Sequence, residues 1–197
     1  MDTPKRYHPA LVTLHWLVAL LVVINLYLGL FVFPTRAYAD QQHPLSLTLH
    51  MAFGIAVLAL VIVRFVVRLR FKRPPDATSG SPLLDLVAKL LHYALYLLLL
   101  TITLIGLAHA LGTGHFQVAF LGAEHEPATQ PASPGLSLLT LHGLAARTLI
   151  ALVAVHVSAA LYHQFIRKDN LIARMWFDSR RRHVAERSPD DMSRRGG

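Results

Sequence analysis

The sequence predicts an all-α fold: a transmembrane four-helix bundle with both termini in the cytoplasm. Three observations lead to this prediction, namely a composition poor in charge, four long apolar runs, and basic residues gathered at one end of those runs. The chain has 197 residues, of which 54% are hydrophobic and only 15% are charged, against about 25% in a typical soluble domain. A soluble chain of this length would need more charged residues to cover its surface.

Each of the four apolar runs is long enough to cross a membrane. They lie at about residues 11–33, 45–67, 83–111 and 136–165. At about 1.5 Å per residue, a helix of roughly 20 residues spans a hydrocarbon layer of ~30 Å. Lipid offers the backbone no hydrogen bonds, so such runs form helices. Buried helices of a soluble bundle would carry a polar stripe, and stretches such as 55–63 and 93–105 carry none.

The basic residues fix the expected orientation. The amino terminus, the stretch between the second and third runs together with its helix ends, and the carboxy-terminal segment hold 17 of the 19 Lys and Arg residues. The first loop holds only Arg36, the irregular Gly- and Pro-rich third loop at 112–135 holds none, and Arg147 lies within the fourth run. Because basic loops remain in the cytoplasm, we expect both termini there. This charge indicates membrane lipid as a partner and argues against nucleic acid.

The domain organisation follows from the same pattern. We expect residues 1–177 to form one membrane domain, and residues 178–197, which are polar and basic, to form a mobile cytoplasmic tail. The chain contains no cysteine. This excludes disulfide scaffolds, thiolate zinc sites, iron–sulfur clusters and covalently attached c-type haem.

Histidine is the residue type that points to function, because the chain contains 12 of them. His142 and His156 are 14 residues apart on one predicted helix, so they share a face at two levels about 21 Å apart. By depth, His50 matches His142 near the outer surface and His15 matches His156 near the cytoplasmic surface. These pairs predict two stacked haems with two axial imidazoles each, which leaves no open coordination site and favours electron transfer. Ordinary helix–helix contacts and a transition-metal carrier without porphyrin remain as alternatives.

Further polar residues lie at or near these levels. His92 is at cytoplasmic depth, where it would replace His15 as a ligand, bond a propionate or line a quinone pocket. An arginine inside the membrane is costly, so Arg147 is expected to reach a haem propionate or a polar cavity. Arg64 and Arg68 would bind lipid phosphate or the propionates of the cytoplasmic-side haem. His163 would either extend to the interface or exchange protons with a quinone.

The motifs around these histidines resemble those of the bacterial cytochrome b561 family, four-helix membrane proteins with two b-type haems. The matching stretches are residues 14–17 (LHWL), 49–54 (LHMAFG), Lys89, His92 and Tyr96 at their spacing, 105–106 (IG), 141–142 (LH), His156, and 161–175 (LYHQFIRKDNLIARM). The resemblance covers about residues 5–176. It implies haem ligands at His15, His50, His142 and His156 and a place in the bacterial inner membrane.

The same resemblance implies quinone-linked electron transfer. Some members are superoxide oxidases, which pass electrons from periplasmic superoxide to ubiquinone, while related proteins are haem b subunits of larger dehydrogenases or hydrogenases. We therefore expect a superoxide:ubiquinone oxidoreductase or, alternatively, an electron-transfer subunit that docks on a protein partner. The quinone would meet the cytoplasmic side near His163, Lys168, Asp169 and His92, with His163 as proton carrier. As an equal alternative, Lys168 would bind a lipid phosphate instead of the quinone.

Two departures from the family pattern bear on this expectation. Thr103 replaces a proline that often precedes the glycine of the third helix. The third loop carries Glu124 and Glu126 and no cation, whereas an entrance for an anion such as superoxide benefits from positive charge.

Overall fold

The computed structural model describes residues 6–33, 44–72, 74–75, 80–123 and 137–176. Within those ranges every regular element is a helix and no strand occurs. The elements in chain order are α1 (Pro9–Tyr27), the π-helical turn π1 (Leu28–Val32), α2 (Pro44–Arg70), α3 (Pro82–Gly112), α4 (His115–Leu121), α5 (Leu138–Tyr162), the π-helical turn π2 (His163–Arg167) and α6 (Leu171–Arg174).

Four of the described helices are long and apolar enough to cross a membrane. They cover Pro9–Val32, Leu45–Arg70, Pro82–Gly112 and Leu138–Arg167, so the four predicted spans are confirmed, with small differences at their ends. Proline at the start of α1 and α3 suits the first turn, where its missing N–H has no helical partner. The division into a domain at 1–177 and a tail at 178–197 stays a prediction, and the tail lies outside the described residues.

Neighbouring long helices run antiparallel. In the α1–α2 pair, the amide of Asn25 lies beside His50, and at the other end Arg64 donates to the backbone carbonyl of Leu11. In the α3–α5 pair, Ile102 lies beside His142 and the His92 ring beside His156. Extensive packing links α1 with α2, α2 with α3 and α3 with α5, whereas α5 packs only sparsely on α1 and α2. Two helix pairs therefore face each other, and histidines reach across from both.

The apolar core lies between the two histidine levels. Val18 and Val22 of α1, Val57 and Val61 of α2, and Leu149 of α5 form one buried cluster. The outward faces are also apolar, with Leu20, Val23 and Leu97 respectively 57%, 62% and 66% exposed. A helix that is apolar on its outer as well as its inner face is typical of a membrane span.

The chain after α5 folds back over the end of the bundle near His15. Lys168 and Asn170 have φ of 56° and 55°, and this left-handed backbone reverses the chain before α6. Trp16 Nε1 then donates to the carbonyl of Met175 at 2.9 Å, and Arg174 Nη1 donates to the carbonyl of Pro75 at 3.0 Å. Segment 168–176 thus closes one end of the bundle, a feature that the sequence did not predict.

The loop at 112–135 was expected to be irregular, and that expectation is wrong at its start. Residues 115–121 form the short helix α4, bounded by Gly114 and Gly122, both with positive φ. Thr48 Oγ1 donates to the carbonyl of Ala119 at 3.0 Å and so holds α4 against the beginning of α2. The remainder of the loop lies outside the described residues.

Candidate functional site: two opposed histidine pairs

The rings of His50 and His142 face each other between α2 and α5. Their centroids are 6.0 Å apart and their planes are inclined at 72°. His142 Nδ1 lies 3.0 Å from the carbonyl oxygen of Ile102. A carbonyl only accepts, so Nδ1 carries the proton and Nε2 keeps the free lone pair. In metal-binding histidines, the ring nitrogen that does not bind the metal usually donates such a hydrogen bond, which fixes the tautomer and the orientation of the ring.

The absence of a side chain at Gly106 makes room for the His142 ring. A Cβ built on Gly106 would lie 2.8 Å from His142 Cε1 and 3.0 Å from His142 Nδ1. Real side chains do not approach so closely, so only glycine at position 106 allows His142 its place. A Cβ on Gly29 of π1 would lie 3.6 Å from His50 Cε1, an ordinary contact. The close approach at Gly106 therefore fixes the His142 ring from the α3 side.

Asn25 fixes the backbone of α2 at the His50 level. With its amide oriented to satisfy both bonding atoms, Nδ2 donates to the carbonyl of His50 at 3.1 Å and Oδ1 accepts from the N–H of Gly54 at 3.0 Å. A polar side chain that bonds a neighbouring helix is how membrane helices hold register. The Phe33 ring, centred 5.2 Å from that of His50, packs against it from the end of π1.

The rings of His15 and His156 form a second pair between α1 and α5. Their centroids are 6.3 Å apart with planes inclined at 73°. His142 and His156 are separated along α5 by about 21 Å. The structure thus brings together all four histidines that the sequence singled out, in the two pairs expected from their depths.

A third ring, that of His92, lies at the His15–His156 level. Its centroid is 5.2 Å from that of His156 and its plane is perpendicular at 89°. His92 Nδ1 lies 2.6 Å from the carbonyl oxygen of Ala88, one turn earlier in α3, and donates to it. Nε2 of His92 therefore keeps its lone pair. The His92 ring thus joins the His15–His156 pair at the same level.

The spacing of the two pairs fits one iron between each pair of rings. An imidazole nitrogen binds a first-row metal at about 2.0 Å and the ring centroid lies about 1 Å behind it, so two axial rings have centroids about 6 Å apart. The measured separations are 6.0 and 6.3 Å. Neutral imidazole is also an ordinary axial ligand of haem. The described residues contain no group of three or more His, Asp or Glu side chains that would hold a bare metal ion.

Arg64 links three helices close to the His15–His156 pair. Its Nε donates to the hydroxyl of Tyr96 at 2.8 Å and its Nη1 to the carbonyl of Leu11 at 2.5 Å. Its charge also lies near enough to interact with both histidines of the pair. Arg68, one turn further along α2, places its guanidinium carbon 5.9 Å from the centre of the Tyr96 ring.

Arg147 does not contact either histidine pair or the arginines beside them. It lies on the exposed face of α5 and makes no hydrogen bond or ion pair with any residue that the structure describes. The expectation that it contacts a propionate or a polar cavity stays a prediction, and its exposed placement does not favour it.

A polar pair lies where π2 meets the returning segment. His163 Nδ1 is 2.6 Å from Asp169 Oδ2, with the two side chains 18% and 30% exposed, and Arg167 Nε is 4.0 Å from the same oxygen. Asp169 Oδ1 is buried and has no hydrogen-bond partner among the described residues. Lys168 is exposed beside them. His163 and Asp169, two residues that the sequence assigned to a quinone pocket, are therefore in direct contact.

Comparison with known proteins finds a family match over most of the chain. The model of the prokaryotic cytochrome b561 family matches residues 6–178. The probable superoxide oxidase CybB of Yersinia pestis is 32% identical over 174 residues, which cover 87% of this chain and 96% of that protein. Cytochrome b561 homolog 2 of Escherichia coli is 31% identical over 176 residues, covering 88% and 93%. Cytochrome b562 of Cereibacter sphaeroides is 34% identical over 180 residues, covering 89% and 98%.

Membrane-length helices with opposed imidazole pairs, together with these relatives, define a haem-binding membrane protein of electron transport. The family match extends over nearly the whole described chain. The chain belongs to the prokaryotic cytochrome b561 family.

Proposed function

We propose that the chain binds two b-type haems, one between His50 and His142 and the other between His15 and His156. The observation that carries this proposal is the pair of ring separations, 6.0 and 6.3 Å, at two levels of one helix bundle. When bound, each haem supplies a one-electron carrier whose iron has both axial positions filled. Two such carriers at different depths suit electron transfer across the membrane.

The chain itself holds and orients the ligands. The carbonyl of Ile102 fixes the tautomer of His142 at 3.0 Å, so that Nε2 keeps the lone pair with which it would bind a haem iron. Asn25 holds the turn of α2 that follows His50, at the His50 carbonyl and at the Gly54 N–H. At the other level His15 is the preferred partner of His156, because its separation fits an intervening iron, whereas the His92 ring at 5.2 Å is too close. Arg64 and Arg68 are the candidate partners for the propionates at that level.

We further propose that both termini are cytoplasmic and that the protein lies in the bacterial inner membrane. The support is the sequence: 17 of its 19 basic residues lie in the amino terminus, in the stretch between the second and third spans together with its helix ends, and in the carboxy-terminal segment. With this orientation, the His15–His156 pair is on the cytoplasmic side and the His50–His142 pair on the periplasmic side.

The electron acceptor that we propose is ubiquinone, bound on the cytoplasmic side near His163, Asp169 and Lys168, with His92 towards the interior. Reduction of a quinone to a quinol takes up two electrons and two protons, so its site needs a proton donor. His163 suits that task because Asp169 accepts from Nδ1 at 2.6 Å, which leaves Nε2 directed elsewhere. Lys168 would bind the quinone or a lipid phosphate.

The electron donor that we propose is periplasmic superoxide. One relative at 32% identity is named a probable superoxide oxidase. The reaction balances as two superoxide anions, one ubiquinone and two protons giving two dioxygen molecules and one ubiquinol. A second candidate is a protein donor, with this chain as an electron-transfer subunit. The lack of Lys and Arg in the loop at 112–135, which contains Glu124 and Glu126, favours this second candidate because that loop would repel an anion.

Purified protein separates the two candidates. A superoxide oxidase is reduced by enzymatically generated superoxide without any partner protein and is reoxidised by added ubiquinone. His163→Gln is expected to slow only the reoxidation. Reduction that requires a co-purifying protein would establish the subunit role. Single substitutions of His142 and His156 to alanine are each expected to remove one of two haems, and loss of neither would refute the ligand assignment.

A further inference from the structure

Two histidines outside the proposed haem ligands meet where α3 ends and α4 begins. The ring centroids of His109 and His115 are 5.8 Å apart and their planes are inclined at 28°. The connection between the two helices is short, because α3 ends at Gly112 and α4 begins at His115. Gly114, with φ of 76°, has the left-handed backbone that favours glycine and reverses the chain here. The reversal brings the first residue of α4 beside the last turn of α3.

Thr113 fixes the position of the proton on the His115 ring. Its Oγ1 lies 2.8 Å from the carbonyl oxygen of His109 and 2.5 Å from His115 Nδ1. A carbonyl only accepts, so the single hydroxyl proton goes to the His109 carbonyl, and the hydroxyl oxygen must accept from His115 Nδ1. His115 Nε2 therefore keeps the lone pair. A metal-binding imidazole usually has its tautomer fixed by a hydrogen bond of this kind.

The distance between the two rings suits one metal ion bound by both imidazoles. With nitrogen-to-metal bonds of about 2.0 Å, two ring centroids are about 5 Å apart at a tetrahedral angle and about 6 Å apart on opposite sides of a metal. The observed 5.8 Å lies between these values. The terminal torsion of histidine is soft, so the His109 ring can turn a nitrogen towards a shared ion. Both residues are partly exposed, so an ion in solution can reach them.

We propose that His109 and His115 bind a transition-metal dication of the zinc class, with Thr113 as the residue that orients His115. Imidazole nitrogen suits Zn²⁺, whereas Mg²⁺ and Ca²⁺ require oxygen ligands. Among the described residues no third His, Asp or Glu side chain joins this pair, which leaves the remaining coordination positions to water. The sequence Glu-His-Glu at 124–126 lies outside the described residues, and the test treats it separately.

A cation at this site would lie close to the His50–His142 pair. His109 is one turn of α3 after Gly106, which lies against the His142 ring, and the charge of His109 is near enough to interact with His142. A positive charge favours the reduced form of a nearby haem. Bound Zn²⁺ should therefore raise the midpoint potential of the haem proposed between His50 and His142. This consequence, unlike metal binding itself, rests on the proposed haem.

The test is a calorimetric titration of Zn²⁺ into the purified, tag-free holoprotein. We expect one ion per chain at this site, and at least tenfold weaker binding in His109→Gln and in His115→Gln. Thr113→Val removes the hydroxyl and should weaken binding about tenfold, since orienting partners typically contribute about 10- to 100-fold to metal affinity. Thr113→Ser retains the hydroxyl and should bind as the wild type does. His125→Gln is the matched control and should leave binding unchanged.

Three binding results would overturn the proposal. The first is a wild-type protein that binds no Zn²⁺, and the second is tight binding that survives both His109→Gln and His115→Gln. The third is binding that is lost in His125→Gln and intact in His115→Gln, which would place the ion in the loop. Equal binding by Thr113→Val and Thr113→Ser would refute the orienting role of the hydroxyl.

Redox titration of the same samples gives a second readout. Zn²⁺ should raise one of two midpoint potentials in the wild type and neither in His115→Gln, and an equal rise in both proteins would contradict a local effect. Zn²⁺ binding that depends on both His109 and His115 but shifts no potential would support the metal site and count against the haem between His50 and His142. The failure of one proposal is thereby separated from the failure of the other.

Discussion

Gly106→Ala tests whether the His142 ring is held in place for iron binding. The new Cβ would lie 2.8 Å from His142 Cε1, against 3.4–4 Å for ordinary contacts, so the ring must move by about 0.6 Å. Metal–ligand distances tolerate only about 0.2 Å of error. Moving the ring also disturbs the 3.0 Å hydrogen bond from Nδ1 to the Ile102 carbonyl. A hydrogen bond of this kind contributes about 1 kcal/mol net to stability.

The overpacking itself costs about 1–3 kcal/mol. Added to the disturbed hydrogen bond, the loss is about 2–4 kcal/mol, which would weaken haem binding at this site roughly 30- to 800-fold. We expect a pyridine haemochrome assay with protein quantitation to fall from two haems per chain to about one. The midpoint potential of the remaining haem should be unchanged.

Gly143→Ala is the control for this experiment. Gly143 is also a helical glycine, directly follows His142 in sequence and has nothing within 4 Å of a built Cβ. Haem content should therefore stay at two. If Gly106→Ala keeps both haems with wild-type potentials, the inference that His142 is positioned by α3 for ligation is refuted.

The other predictions concern the cytoplasmic-side level. His15→Phe should lose one haem and His92→Phe should keep both, and the reverse outcome in a haem assay would make His92 the ligand. His163→Gln should slow ubiquinone reoxidation at least tenfold in stopped-flow absorbance while leaving dithionite reduction unchanged; equal rates would place the quinone elsewhere. The positive charge of Arg64 favours the reduced form of a nearby haem. Because Arg64→Gln removes this charge, one midpoint potential should fall. At an effective dielectric of about 20 and a separation on the order of 10 Å, the fall is roughly 70 mV. Arg70→Gln, an exposed change at the end of α2, controls for net charge, and a similar fall in both variants would contradict a local effect.

Much of the architecture could be predicted because membrane spans and helical periodicity are local properties. The four spans follow from apolar length alone, and the 14-residue step from His142 to His156 fixes a common face on any straight helix. Depth counting within spans was enough to pair His50 with His142 and His15 with His156. These inferences require only the rise of a helix and the thickness of a bilayer.

Contacts between distant segments could not be read in this way. That Gly106 opposes His142 depends on the rotation of α3 relative to α5, which the sequence pattern does not specify. The return of residues 168–176 depends on left-handed backbone at Lys168 and Asn170, although lysine gives no local sign of it. The bond of Trp16 to Met175 joins residues that are far apart in the chain. The exposed placement of Arg147 was likewise not predicted, because an intramembrane arginine is expected to face inward.

The central claim is that each of two histidine pairs binds one haem iron through both rings. Electron paramagnetic resonance of the oxidised, purified protein, with spins counted per chain, measures this most directly. Axial imidazoles on both sides of the iron produce low-spin ferric haem, so the account predicts two low-spin centres per chain and no high-spin signal. A single centre per chain, or a high-spin signal from an iron with an open axial position, would contradict it.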